Sequence, residues 1–90
     1  MRKHDLYVVA RFLDVLWWNR VGMKKTHLHM CVRLNYQTFL RYLEWLENHG
    51  LVKVITNDDG SDKIMLSEKG VESHRRLVEW IEETMKDLKI

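Results

Sequence analysis

The sequence has little of what several functional classes require. One cysteine among 90 residues rules out an internal disulfide. No run of about 18 apolar residues occurs, because Arg11 and Asp14 interrupt the most apolar stretch, residues 6–18. The chain also lacks a Gly-rich phosphate loop, and we find no pair of carboxylates outside positions expected to be exposed. We therefore expect neither a membrane span nor an enzyme.

Ligand and targeting signals are also few. The first apolar run is not followed by a small-residue cleavage site, so we expect no signal peptide and a cytoplasmic protein. Cys31 is expected to be a small buried apolar residue, with an intersubunit disulfide as the alternative. His27 and His29 are two apart, point in different directions on a helix and have no Cys or acidic ligand nearby. We predict no metal, no cofactor and no small-molecule substrate.

Charge is distributed unevenly along the chain, whose net charge is +2. Residues 1–33 carry seven Lys/Arg and two Asp, whereas residues 34–66 carry three Lys/Arg and five acids. Residues 67–90 carry five Lys/Arg and six acids. The basic first third favours a polyanionic partner. A chain this short buries only about 60% of its extended surface, so a second subunit would add stability.

The first helix is predicted over His4–Asn19, because apolar residues recur at helical spacing. One row is expected to face the core: Leu6, Val9, Ala10, Leu13, Leu16 and Trp17. A second row, Val8, Phe12 and Val15 with Trp18 beside it, lies round the other side. A helix that is apolar on nearly all sides must be covered on nearly all sides. The second row is predicted to meet another subunit; the alternative is that the C-terminal helix folds over it.

The central stretch, residues 26–50, predicts a helix-turn-helix. Gly22 ends the first helix, and Thr26 is the predicted N-cap of a short helix reaching Val32. Arg33 and Leu34 form the turn before the second helix. Asn35 is the predicted N-cap of that helix, residues 36–49, and Gly50 closes it.

The second helix of this motif is amphipathic. Its predicted core row is Tyr36, Phe39, Tyr42, Leu43 and Leu46. Its polar stripe is Gln37, Arg41, Glu44 and Asn48. A solvated face is the ordinary meaning of such a stripe, but Gln and Arg at its N-terminal end are side chains that read base edges. The second helix of a helix-turn-helix enters the DNA major groove with its N-terminal end.

A hairpin and a long helix complete the chain. Residues 51–56 and 63–66 predict two strands, joined by a loop containing the turn-forming pair Asp59 and Gly60. Acidic residues at the hairpin tip would be repelled by phosphates, so we expect this tip to stay outside a groove. Ser67 is the predicted N-cap of the last helix. That helix carries a heptad row: Val71, His74, Val78, Ile81, Met85 and Leu88.

The heptad row leaves two packing modes open. Three heptads are few for an isolated coiled coil, so the row is predicted to work with the first helix in a dimer, and packing onto its own domain is the alternative. His74 is expected to be a hydrogen-bonded core histidine, with a pH switch as the sharper reading. The predicted fold is mainly α with a small β-hairpin wing (α+β). It is a single winged helix-turn-helix domain over 1–90, comprising 1–66 and a dimerisation helix over 67–90.

Several motifs resemble a known family. The segments KTHL, RLNY, RYLEWL, GLV and LSEKG, between Lys25 and Gly70, are similar to those of archaeal winged-helix proteins of about ten kilodaltons. The resemblance implies a chromatin-associated or regulatory DNA-binding protein that dimerises through its C-terminal helix, in several cases as an antiparallel coiled coil. Arg33 stands where that pattern has a small polar residue, and the acidic hairpin also departs from it.

The predicted function is a homodimeric DNA-binding protein associated with the nucleoid, acting as a transcriptional regulator or an architectural protein. Predicted base-reading residues are Gln37, Thr38 and Arg41. Predicted phosphate-binding residues are Arg20, Lys24, Lys25, Arg33, Lys53 and Lys63. Predicted dimer residues are Val8, Phe12, Val15, Val71, His74, Val78, Ile81, Met85 and Leu88. The alternative is a winged-helix module that binds another protein and no nucleic acid.

Overall fold

The computed structural model describes residues 4–85. Its elements are α1 (Leu6–Trp17), β1 (Met23–Lys24), α2 (Lys25–Val32), α3 (Tyr36–Asn48), β2 (Val52–Thr56), β3 (Asp62–Leu66) and α4 (Glu68–Met85). The strands form one antiparallel sheet in the order β1-β3-β2. This arrangement confirms the predicted fold class, a mainly helical winged helix-turn-helix with a small hairpin and a C-terminal helix.

The core lies where the first three helices meet the inner face of the sheet. Phe12 of α1 stacks on Phe39 and Tyr42 of α3, with ring centroids 5.8 and 6.0 Å apart. The largest fully buried side chains are Phe12, Leu16, Leu28, Val32, Phe39, Leu46 and Ile64. Because α1, α2, α3 and β3 all contribute to this set, the orientation of α3 is fixed by packing on several sides.

Both ends of α3 follow the local sequence signals. The Asn35 side chain accepts a hydrogen bond from the Thr38 N–H at 2.9 Å, which confirms Asn35 as the N-cap. At the other end Gly50 adopts φ +72, and its N–H donates to the Glu47 carbonyl at 3.0 Å. The Leu51 N–H donates to the Leu46 carbonyl at 2.9 Å. These two bonds form a Schellman motif, which needs a residue that tolerates a left-handed conformation.

The LSEKG segment seats the start of α4 against the end of α3. The Ser67 hydroxyl accepts from the Gly70 N–H at 3.0 Å, confirming the predicted N-cap, and donates to the Gly50 carbonyl. The Lys69 ammonium donates to the His49 carbonyl at 2.8 Å. Gly70 lies so close to Leu51 that a Cβ on Gly70 would be 2.0 Å from the Leu51 oxygen. The glycine is thus required by the closeness of two backbones.

The first helix departs from the prediction in its length and its buried face. It spans Leu6–Trp17, shorter than predicted, with Asp5 capping the Tyr7 N–H at 2.8 Å. Leu6, predicted to face the core, is exposed. Phe12, predicted to face a second subunit, is fully buried against α3. The two rows were distinguished by period alone, whereas the packing partners decide which row is covered.

The connector between α1 and α2 contains a strand that we did not predict. Met23 pairs with Ile64, and Lys24 pairs with Lys63. The strand holds Lys24 extended up to the start of α2, so the helix begins at Lys25 and Lys24 takes the N-cap position predicted for Thr26. Cys31 is exposed, contrary to the expected burial. The buried side of α2 carries Leu28 and Val32 instead, four residues apart.

Candidate nucleic-acid interface

The predicted polar stripe of α3 lies on the surface. Gln37, Arg41, Glu44 and Asn48 are all exposed. Thr38, the third predicted base-reading residue, is half-buried. Gln37 and Arg41 are four residues apart, so their side chains are neighbours on one helix face. They present an amide and a guanidinium together, which are groups that pair with adenine and guanine edges.

The turn between α2 and α3 is braced from two sides. Arg33 adopts the left-handed conformation with φ 58, and its N–H donates to the His29 carbonyl at 3.2 Å. The His29 Nε2 donates to the Leu34 carbonyl at 2.7 Å. From α1, the Arg11 guanidinium donates to the Val32 carbonyl at 2.7 Å. Carbonyl groups at the end of α2 and in the turn are therefore satisfied by side chains, which fixes the angle at which α3 leaves the turn.

Cationic groups flank the N-terminal end of α3. The Lys25 ammonium lies 6.0 Å from the centroid of the Tyr36 ring. Arg33, two residues before the N-cap Asn35, is exposed in the turn. The N-terminal end of a helix also carries the positive pole of its macrodipole. This end of α3 is consequently suited to a phosphate group, and two predicted phosphate-binding residues lie there.

The strand register gathers three more predicted phosphate-binding residues on the outer face of the sheet. Lys24 pairs with Lys63, which pairs with Ile55 on its other side. Lys53 pairs with Met65 and lies two residues from Ile55, so it shares that face. The opposite face carries buried residues such as Ile64. Lysines separated by up to about forty positions in the sequence thus share one surface, which we call the lysine face: Lys24, Lys53 and Lys63.

Three acids lie at or beside the tip of the hairpin: Asp58, Asp59 and Asp62. Two of them accept hydrogen bonds within the hairpin. Asp59 accepts from the Ser61 hydroxyl at 2.7 Å and from the Ser61 N–H at 3.0 Å, and these bonds lower the pKa of Asp59. Asp62 accepts from the Thr56 hydroxyl at 3.0 Å. These bonds close the hairpin, and the charge of Lys24, on the lysine face, also lowers the pKa of Asp59.

Arg20, in the connector after α1, contacts the last residue of that helix. Its guanidinium stacks over the Trp17 ring, 4.7 Å from the centroid. Trp17 also stacks on the His74 ring of α4, with centroids 4.9 Å apart. The His74 Nε2 lies 3.2 Å from Asp14 Oδ1. Arg20 therefore stacks on a residue that also contacts α4, and its predicted role as a phosphate-binding residue stays a prediction.

The predicted dimer residues divide into four groups. Phe12 and His74 are buried within the chain, and Val8, Val15 and Val71 are partly buried against the same core. We therefore remove Phe12 and His74 from the dimer surface, because α3 and α1 already cover them. Val78 and Ile81 are exposed. The Met85 side chain and Leu88 lie outside the described residues.

Other apolar residues, just after α1 and on α4, are more exposed than the predicted dimer residues. Trp18 is 77% exposed and Trp80 is 58% exposed, and Val21 is also exposed. A groove of about 180 Å³ opens between the two helices. It is lined by Trp17, His74, Arg75, Val78 and Glu79. Trp18 was predicted to lie beside the α1 row that meets another subunit, whereas Trp80 lies off the heptad row predicted for α4.

Comparison with known proteins places the chain in a family. Residues 5–85 match the sequence pattern of winged helix-turn-helix proteins. The chain belongs to the winged helix-turn-helix family. No curated protein sequence matches it. Within residues 4–85 no helix is long and apolar enough to cross a membrane. No group of three or more His, Cys, Asp or Glu side chains in that range could hold a metal ion.

Solved winged-helix structures share the fold at low sequence identity. MepR, a transcription regulator of a Staphylococcus aureus efflux pump, superposes with a TM-score of 0.81 at 16% identity, covering 90% of this chain and 61% of MepR. A MarR-family regulator from Silicibacter pomeroyi gives 0.72 at 21%, covering 91% and 58%. F93 from STIV, a winged-helix DNA-binding protein, gives 0.77 at 20%, covering 89% and 92%. The chain thus spans about three fifths of the two longer regulators and nearly all of F93.

Proposed function

We propose that this winged helix-turn-helix chain is a homodimeric DNA-binding protein, acting as a transcriptional regulator or an architectural protein of chromatin. The observation that carries this proposal is the N-terminal half of α3, where exposed Gln37 and Arg41 lie beside Lys25 and Arg33. In the major groove, this half of α3 would face base edges while the cations contact phosphates. The role proposed for the chain requires no catalysis and no cofactor.

Each group of residues has a distinct proposed role. Gln37 and Arg41 read bases, and the half-buried Thr38 contributes its outer edge. Lys25 and Arg33 hold the phosphates nearest the N-terminal end of α3. The lysine face binds the DNA backbone beside the groove, because three ammonium groups on a flat surface carry charge without base specificity. The exposed Arg20 is proposed to add a further phosphate contact.

Structural relatives support DNA as the partner. CouR, a transcriptional repressor, superposes on this chain with a TM-score of 0.76 at 22% identity and was solved bound to a 23-mer DNA duplex. The match covers 88% of this chain and 59% of CouR. On the KTHL, RLNY, RYLEWL and LSEKG segments we also propose the archaeal ten-kilodalton type predicted above, located at the nucleoid.

A second copy of the chain is the proposed occupant of the exposed surface on α4. Beside Val78 and Ile81 on α4, Arg75 lies in the first half of the helix and Glu82 in the second. Two copies of α4 running antiparallel would bring these opposite charges together around Val78 and Ile81. A symmetric dimer would hold two copies of α3 at a fixed spacing, which converts two weak contacts into one stronger one.

The dimer is tested by molecular mass in solution. Ile81→Asn should shift the mass from dimer to monomer, because it places a polar amide in the centre of the apolar contact. Glu83→Asn is the matched control, since residue 83 lies on another side of α4 and should leave the dimer intact. A monomeric mass for the unaltered chain at high concentration would refute the dimer.

DNA binding is tested by its salt dependence. Affinity for a duplex should fall steeply between low and moderate salt, and Lys53→Ala should flatten the slope of log K against log salt by about one unit. Arg76→Ala is the control, because Arg76 lies on α4 and pairs with Glu72 at 3.1 Å. An unchanged slope for Lys53→Ala would remove the lysine face from the interface.

A protein-binding module without nucleic-acid function is the second candidate. The observations that favour it are Glu44 within the exposed stripe of α3 and the exposed Trp18 and Trp80 on the α1–α4 side. Tryptophan is enriched at the centres of protein interfaces. Absence of duplex binding even at low salt would favour this candidate over the first.

A further inference from the structure

Tyr36 is placed differently from the other aromatic residues of α3. The amphipathic pattern assigned it to the core row with Phe39 and Tyr42. Those two rings are buried, whereas Tyr36 is 51% exposed. Tyr36 is the first residue of α3 and directly precedes Gln37. A large aromatic ring is therefore exposed at the leading end of the helix that carries the base-reading residues.

The inner side of the Tyr36 ring is held by its neighbours. The His29 ring meets it edge to face, with centroids 5.3 Å apart at 69°. Phe39 lies 6.1 Å away, and the Lys25 ammonium lies 6.0 Å from the ring centroid. His29 is itself fixed by its hydrogen bond to the Leu34 carbonyl at 2.7 Å. A ring that is already fixed loses little conformational freedom on binding.

The position of the ring indicates what it contacts. The N-terminal residues of the second helix of a helix-turn-helix approach base edges in the major groove. Among the four DNA bases only thymine presents a methyl group there, and apolar side chains recognise it by contact. Gln37 and Arg41 supply hydrogen bonds to other edges, but they give no apolar contact. Tyr36 supplies the apolar surface that they lack.

We propose that the Tyr36 ring is a specificity-determining contact that recognises the 5-methyl group of a thymine in the bound DNA. This inference rests on the proposed function and identifies one of the bases that α3 contacts. The ring, and not the hydroxyl, makes the contact. Phenylalanine should therefore replace Tyr36 without loss, and alanine should not.

The test removes the methyl group from the DNA and the ring from the protein. A duplex is first selected from a random pool by the unaltered protein, and each thymine is then replaced in turn by uracil, which pairs identically but lacks the methyl. At one position in each half-site, affinity should fall about fourfold, the value expected for burying one methyl group. Tyr36→Ala should bind the thymine and uracil duplexes equally at that position, and Tyr36→Phe should keep the fourfold difference.

Three results would overturn the inference. One is that no uracil replacement changes the affinity of the unaltered protein. A second is that Tyr36→Ala still distinguishes thymine from uracil. The third is that Tyr36→Phe loses affinity equally for both duplexes, which would identify a hydroxyl contact to phosphate. If the unaltered protein selects no duplex at all, the proposed function itself fails, and that outcome is seen before any uracil is introduced.

Two controls separate recognition from folding. Lys25→Ala removes the cation beside the ring and should weaken both duplexes by the same factor, because phosphate contacts carry no base information. Thermal unfolding of each variant shows whether it is folded at the assay temperature. Tyr36→Gln, which keeps more side-chain volume beside His29 and Phe39, gives the same comparison if Tyr36→Ala is unfolded.

Discussion

The two ends of α3 differ in what holds them and in what surrounds them. At the C-terminal end, the Leu46 and Glu47 carbonyls are bonded within the Schellman motif, and the His49 carbonyl accepts from Lys69. At the N-terminal end, Asn35 caps the helix and the His29 ring donates to the Leu34 carbonyl in the turn, while Tyr36 and Gln37 are exposed. The C-terminal end is thus anchored to α4, while residues of the first turn are exposed at the other end.

Charge follows the same division. Lys25 and Arg33 flank the N-terminal end, whereas Glu44 and Glu47 are exposed towards the C-terminal end. Only the N-terminal end combines positive side chains with the positive pole of the helix dipole. The polar stripe of α3 is therefore not uniform, because only its first half has the charge suited to DNA. Substitutions at the two ends should therefore affect different measurements.

Gly70→Ala should give the largest effect, and it should act on stability. Helix propensity alone would favour alanine by about 1 kcal/mol. The added Cβ, however, would lie 2.0 Å from the Leu51 carbonyl oxygen, which belongs to the backbone and cannot rotate away. We expect the free energy of unfolding to fall by about 3 kcal/mol, measured by urea unfolding.

Gly50→Ala is the matched control for that prediction. At Gly50 a Cβ would meet only the flexible Lys69 side chain at 3.8 Å, so the cost is that of a left-handed alanine, about 1 kcal/mol. A Gly70→Ala variant as stable as the unaltered protein would show that α4 is not seated on the end of α3 as described.

Arg41→Ala should act on DNA binding and leave stability unchanged. The loss should be about 2 kcal/mol on the selected duplex and smaller on random duplex, because a base contact is lost. Glu47→Ala, at the anchored end of the same helix, is the control and should not weaken binding. Equal losses for Arg41→Ala on both duplexes would reassign Arg41 to the phosphate backbone and remove the distinction between the two halves of α3.

Local chemistry explains what could be predicted from the sequence. Asn35, Gly50 and Ser67 act through bonds to residues within a few positions along the chain, so their residue types alone indicated helix ends. The hairpin around Gly60 followed from the same kind of signal. The exposed positions of Gln37 and Arg41 followed from helical periodicity.

Long-range pairing explains what could not be predicted. The two-residue strand β1 exists because Met23 pairs with Ile64, about forty positions away, and no pattern within β1 indicates that partner. The lysine face has the same origin, since its members come together only through the strand register. Burial of Phe12 and exposure of Tyr36 likewise depend on where α2 and α3 pack, which periodicity does not specify.

Ser67→Ala should have a smaller effect than Gly70→Ala at the anchored end. It removes the N-cap of α4 and the hydroxyl that donates to the Gly50 carbonyl, and we expect a loss of about 1 kcal/mol in the free energy of unfolding. Ser67→Asp, which keeps an acceptor for the Gly70 N–H but has no hydroxyl donor, should recover part of that loss. If Ser67→Ala costs nothing, the contact between α3 and α4 depends on packing alone.

Glu72→Gln should have the smallest effect, and its pH dependence identifies the cause. Hydrogen bonds from Arg75 and Arg76 lower the pKa of Glu72 from its ordinary value of 4.5. A lowered folded-state pKa means that the ion pairs add stability above the ordinary pKa and that this stability is lost as the pH falls through the folded-state value. The unaltered protein should therefore have a higher urea midpoint than Glu72→Gln at neutral pH.

That difference in midpoint should shrink in acid, once Glu72 is protonated. Because all three side chains are on the surface, the effect should be slight even at neutral pH. Glu83→Gln, on the same helix, is the control for removing one negative charge from α4. An equal difference in midpoint between the unaltered protein and Glu72→Gln at neutral and acidic pH would show that the arginine pairs do not stabilise α4. The contact between α4 and the end of α3 would then depend on the LSEKG segment, including the bond from the Lys69 ammonium to the His49 carbonyl.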